Sequence, residues 1–140
     1  MKPLQLQCDV LVLTCIDYRF PHLVRDYLDD HGLIGSYDIF TLPGASLGAC
    51  CSEYPHWNKT LEEVINLALD IHSIKRIIVI NHEECGAFQK LRGVPDKKSD
   101  EILMHQAQAT MTHDWISAHF PQLGLEFIYM TLDGKAEKLL

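Results

Sequence analysis

Positive charge is scarce in this sequence. Its 12 Lys and Arg face 19 Asp and Glu, a formal net charge of −7, so a nucleic-acid backbone or an anionic membrane surface is repelled on average. No nucleic acid and no membrane is expected as a partner. No apolar run approaches the roughly 18 residues of a membrane span, and Met1 to Gln7 shows no basic stretch leading into an apolar one. A cytoplasmic address is the resulting expectation. The cysteine count is 5, an odd number, and Cys8, Cys50 and Cys51 follow no framework spacing, which argues against a disulfide scaffold. Internal repeats, low-complexity tracts and linkers are also missing, so residues 1–140 read as a single domain.

What is present is the material of a core. Apolar residues make up 47% and charged residues 22% of the chain, the balance of a protein that folds around a buried interior. Cys8 to Cys15 is a nearly continuous apolar run rich in branched residues, as in a strand covered on both faces. Tyr37 to Leu42, Arg76 to Asn81 and Leu125 to Met130 read as three further strands. Between them lie helical patterns. His22 to His31 is ended by Gly32, a stripe from Leu61 to Ile71 follows a capping-box pattern of Thr60 and Glu63, and a long helix runs from Ser99 as cap to about His119. Alternating strands and helices predict an α/β fold: an open, mainly parallel sheet of about four strands, order 2-1-3-4, flanked by helices.

In such sheets ligands bind beyond the carboxyl ends of the strands, where the strand order reverses. Cys15 closes the first strand and His82 the third, and one turn returns Cys85 to the same place. Two thiolates and one imidazole suit zinc, and three protein ligands leave a fourth position open for water, the arrangement of a catalytic metal. Asp17 and Arg19 should share a face with Cys15 as an extended segment leaves the strand, with Arg19 gripping the Asp17 carboxylate. Read without the metal site, that pair is a surface ion pair worth roughly 0 to 1 kcal/mol.

The segments Cys15-Ile16-Asp17-Tyr18-Arg19 and His82-Glu83-Glu84-Cys85-Gly86 resemble the Cys-x-Asp-x-Arg and His-x-x-Cys motifs of the beta-class carbonic anhydrases, in the same order. The tail Tyr129 to Lys135 resembles that family's closing strand and turn. The resemblance implies one zinc ion per chain held by Cys15, His82 and Cys85, with Asp17 and Arg19 as the catalytic dyad. The activity it implies is reversible hydration of carbon dioxide to bicarbonate through zinc-bound hydroxide, in a homodimer or higher homo-oligomer. Two other readings keep the zinc: hydrolysis of carbonyl sulfide or carbon disulfide, or a non-catalytic carbonic-anhydrase-like protein. Leu42 to Gly48 departs from the family's Arg-Asn-Ala-Gly-like loop, keeping small residues but lacking the polar pair. Glu83 and Glu84 are expected to be solvated or paired at the turn, Cys50 and Cys51 to be small residues near a helix start, and Met104, Met111 and Trp115 to be core.

Overall fold

The computed structural model describes residues 6–140, so the absence of a leader pattern over Met1 to Gln5 concerns residues outside the described part. Five strands form one sheet: β1 (Val10–Thr14), β2 (Tyr37–Thr41), β3 (Arg76–His82), β4 (Gly124–Met130) and β5 (Ala136–Lys138), in the order β2-β1-β3-β4-β5. The first four are parallel, as expected, and β5 adds an antiparallel edge against β4. That edge adds a fifth strand to the expected order 2-1-3-4, which is otherwise the order seen. It is three exposed residues long, and strand patterning leaves no mark on so short a polar segment.

The period of two along the inner strands divides the core between the two faces of the sheet. Leu11, Leu13, Ile77, Val79, Phe127 and Tyr129 face one way, onto α3 (Pro55–His72) and α5 (Lys98–His119). Val10, Val12, Ile78, Ile80, Ile128 and Met130 face the other, onto Val24 and Leu28 of α1 (Pro21–Asp30). Being covered on both faces explains why every residue of β1 is buried.

Several helix boundaries differ from the sequence reading. The third helix begins at Pro55, whose fixed φ suits a first helical turn, and Thr60 lies inside it, its hydroxyl donating to the His56 carbonyl at 3.1 Å. The Thr60/Glu63 pattern therefore caps nothing. Leu61, Ile65 and Ala68 form the buried stripe, while Ile71 is half exposed. The long helix starts at Lys98 with Lys97 in the capping position, which makes Ser99 a first-turn residue. Within it Met111 is 56% exposed, against its assignment to the core, whereas Met104 and Trp115 do pack against buried clusters. Two short helices were not expected, α2 (Ser46–Ala49) and α4 (Gly86–Arg92), and both flank the site. Among the described residues, no helix is long and apolar enough to cross a membrane.

Candidate metal centre

The sheet order places the carboxyl ends of β1 and β3 side by side, Thr14 being registered with Ile80. Cys15 follows β1 directly and His82 is the last residue of β3. The turn after His82 passes through Glu84 in the left-handed region, φ 56°, and delivers Cys85 to the start of α4. A non-glycine residue in that region is strained by about 1–3 kcal/mol and must be held. Glu101 of α5 holds it: its Oε1 accepts the Glu84 N–H at 2.8 Å and the Tyr129 hydroxyl at 2.7 Å. Glu83 is anchored beside it, accepting the Leu132 N–H at 3.1 Å and pairing with Lys98 at 3.0 Å. Glu83 is thus paired, and Glu84, more exposed, sits 3.6 Å from Arg19.

Through these connections the donor atoms of Cys15, His82 and Cys85 come within 4.8 Å of one another. The two sulfurs are 3.9 Å apart. His82 donates from Nδ1 to the Glu83 carbonyl at 2.8 Å, which leaves Nε2 as the nitrogen with the free lone pair. That Nε2 is buried and has no hydrogen-bond partner. Such an orphaned acceptor is costly unless a ligand uses it, and two cysteines beside it supply the rest of a zinc-type donor set. The donors therefore fit the metal. Phe20 stacks on the imidazole, ring centroids 4.1 Å apart, and fixes its plane.

The electrostatics match a thiolate site. Cys15 is pulled down to about 4 by the hydrogen bond from Cys85, and further by His82 and by the Gly44 N–H 3.2 Å from its sulfur, all against the effect of burial. Cys85 is pushed up by sharing that proton with the Cys15 thiolate and by burial. For His82, burial disfavours the imidazolium, but the Cys15 thiolate and the Glu83 carbonyl outweigh it and raise its pKa. The proton that Cys15 and Cys85 share is the one a metal ion would displace.

Asp17 and Arg19 are brought together as expected, although by a different route. The Arg19 backbone N–H donates to Asp17 Oδ1 at 2.9 Å and Phe20 N–H to the Asp17 carbonyl at 3.2 Å, so the chain turns at Asp17 instead of running extended. A short side chain that satisfies a backbone donor two residues on favours this turn. Arg19 then grips the carboxylate with two prongs, Nε to Oδ1 at 3.1 Å and Nη2 to Oδ2 at 2.9 Å, and Nη2 also donates to the Glu84 carbonyl at 3.0 Å. These bonds hold the Asp17 carboxyl below its ordinary value. Its Oδ2 lies 3.8 Å from His82 Nε2, at the edge of the donor set.

The loop Leu42 to Gly48 contributes what sequence reading missed. Gly44 adopts φ 75° and points its N–H at Cys15 Sγ; a Cβ there would lie 2.7 Å from Leu47 Cβ. The loop is tied down by a buried polar network. Asn81 of β3 accepts the Ser46 N–H at 3.1 Å and donates to the Ser46 hydroxyl at 2.7 Å and to His105 Nδ1 at 2.9 Å. Thr112 closes the network on the Ser46 carbonyl at 2.7 Å. Burial lowers His105 to about 3, so it is neutral and serves as an acceptor in that network. Gly44→Ala is expected to cost about 2 kcal/mol from the left-handed backbone alone, more with the clash against Leu47, and to lower the urea midpoint of unfolding accordingly.

Beside the donors is a cavity of about 280 Å3 lined mainly by apolar side chains, among them Ile16, Phe20, Val24 and Ile39, with Cys15 and His82 also in its wall. A second hollow, bordered by Asp17, Tyr18 and Pro43, shares Cys15 and Ile16 as lining residues with the first.

The architecture is that of the β-carbonic anhydrases. One of two tetrameric β-carbonic anhydrases of Sordaria macrospora aligns over 96% of this chain and 81% of its own, with a TM-score of 0.62 at 15% identity. The β-carbonic anhydrase CafA of Aspergillus fumigatus aligns over 95% and 76%, TM-score 0.62, at 14% identity. At such identities the likeness concerns the fold. Membership is carried by sequence: the family model described as "Putative carbonic anhydrase" matches residues 6–137, and the chain belongs to that family. An uncharacterized protein of Rickettsia conorii is 33% identical over 95% of this chain and 73% of its own length, and one of Rickettsia bellii is 34% identical over 95% and 82%.

Proposed function

We propose that the chain is a single-domain zinc enzyme that interconverts carbon dioxide and bicarbonate. The observation that carries this reading is the buried, partnerless Nε2 of His82 grouped with two cysteines beside an apolar cavity that His82 and Cys15 help to line. Cys15, His82 and Cys85 would hold the metal. Zinc in such a site supplies Lewis acidity, lowering the pKa of water in its open position from about 15.7 toward neutrality.

The remaining chemistry belongs to the chain. Two thiolates cancel the ionic charge and blunt its acidity, so groups around the donors matter more than in an all-histidine site. The Gly44 N–H withdraws density from Cys15 Sγ, a partial correction in the right direction. Asp17, kept ionised by Arg19, offers Oδ2 as an acceptor for a water proton beside the donor set. Glu101, through the Glu84 turn, keeps Cys85 in place. Carbon dioxide, small and apolar, fits a pocket walled by Ile16, Phe20, Val24 and Ile39 and needs no charged group to recognise it. A homo-oligomeric state is part of the proposal, supported by the tetrameric S. macrospora neighbour.

The experiment is isotope exchange. The chain should deplete 18O from labelled bicarbonate far faster than buffer, and faster than it releases sulfide from carbonyl sulfide. Sulfide release with no exchange would transfer the assignment to the sulfur substrate; neither reaction at full zinc occupancy would leave a metal-binding protein without catalysis.

A further inference from the structure

A second set of metal-type donors converges at the opposite, amino-terminal edge of the sheet. Cys8 precedes β1, Asp38 is the second residue of β2, and His72 is the last residue of α3. One donor atom from each lies within 4.8 Å of the others, and all three residues are half-buried. The backbone builds this meeting. The Cys8 N–H donates to the His72 carbonyl at 3.0 Å, and the parallel pairing of β1 with β2 sets Leu11 against Asp38. His72 Nδ1 and Asp38 Oδ2 are 2.6 Å apart, and the Cys8 thiol rests 3.7 Å from the Val10 carbonyl. A hydrogen bond accounts for His72 and Asp38, but gives no reason for a thiol to share their focus.

We propose that Cys8, Asp38 and His72 form an accessory site for a borderline divalent cation, Zn2+ foremost, distinct from the Cys15, His82 and Cys85 centre. The length of β1 separates the two: from Cys8 to Cys15 an extended chain rises roughly 23 Å. Thiolate, imidazole and carboxylate are the mixture that zinc takes, and the two anions balance its charge. On binding, the Cys8 thiol gives its proton to solvent, and the proton between His72 and Asp38 also leaves to solvent or moves to the other ring nitrogen of His72, which frees both groups as ligands. Partial exposure leaves room for water to complete the coordination. Bound there, the ion clamps the segment before β1 to the edge strand β2 and to the end of α3, and its role is stability rather than catalysis.

The test is equilibrium dialysis of the full chain against micromolar free Zn2+, with metal counted per chain in the wild type, Cys8→Ser and His72→Ala. Two zinc ions in the wild type and one in each variant is the expected result, with zinc raising the Tm of the wild type more than that of either variant. Two ions in all three proteins would overturn the proposal, placing the second ion elsewhere. So would one ion in the wild type that both variants retain. A single ion lost from both variants would instead support the accessory site and count against the Cys15, His82 and Cys85 centre, so the two readings fail separately.

Discussion

Cys85→Ser, made in a Cys8→Ser background so that only one site is counted, is expected to strip zinc from the chain with little change in fold. Cys85 is 2% exposed and its side chain differs from serine by one atom, so helix α4 and the Glu84 turn keep their contacts. The electrostatic change is large: two thiolates balance a divalent ion, one does not, and a buried serine hydroxyl is a poor replacement. Losing even a hydrogen-bond partner of a ligand costs about 10–100-fold in metal affinity or activity, and losing the ligand should exceed that. Competition against a chromophoric chelator measures it, and circular dichroism checks that the fold survives. Affinity within tenfold of the parent would remove Cys85 from the donor set.

Asp17→Asn, made in the same Cys8→Ser background, is expected to leave zinc at one per chain while lowering kcat for carbon dioxide hydration by about 10–100-fold, the usual cost of a partner beside a metal. The substitution keeps the shape and the Asx turn, since the amide oxygen can still accept the Arg19 N–H. It removes the charge that Arg19 holds with two prongs at 2.9 and 3.1 Å. The same pair has a stability signature. Because Arg19 and its hydrogen bonds lower the folded-state pKa of Asp17, its contribution is present above the ordinary aspartate value and is lost as pH falls through the lowered one. Stability against pH in that acidic window should therefore be flatter in Asp17→Asn. Unchanged kcat with zinc retained would make the dyad structural only.

The parts of this site legible in sequence are those that strand patterning fixes. The apolar runs ending at Cys15 and just before His82 place both at strand carboxyl ends, and alternation of strands with helices yields the parallel order. The His-x-x-Cys spacing then brings Cys85 back. What stayed hidden is set by tertiary contact. Helix α2 is four residues long and wholly buried, too short to show a period. Gly44 reaches Cys15 from a loop that sequence marks only by its small residues. Glu101 lies in the first turns of α5, where an acidic residue is expected for dipole reasons, and nothing local shows that it clamps the turn before Cys85. Thr60 and Glu63 mimic a capping box because both fall on exposed positions of a helix that Pro55 had already started.

Zinc-dependent chemistry at one centre is the central claim, and the most direct measurement is stopped-flow carbon dioxide hydration while metal-free protein is titrated with zinc, repeated across about pH 6.5 to 9. Activity should rise in proportion to zinc, level off once the Cys15, His82 and Cys85 centre is filled, and be greater at the alkaline end. Full zinc occupancy with no hydration above buffer at any pH would contradict it.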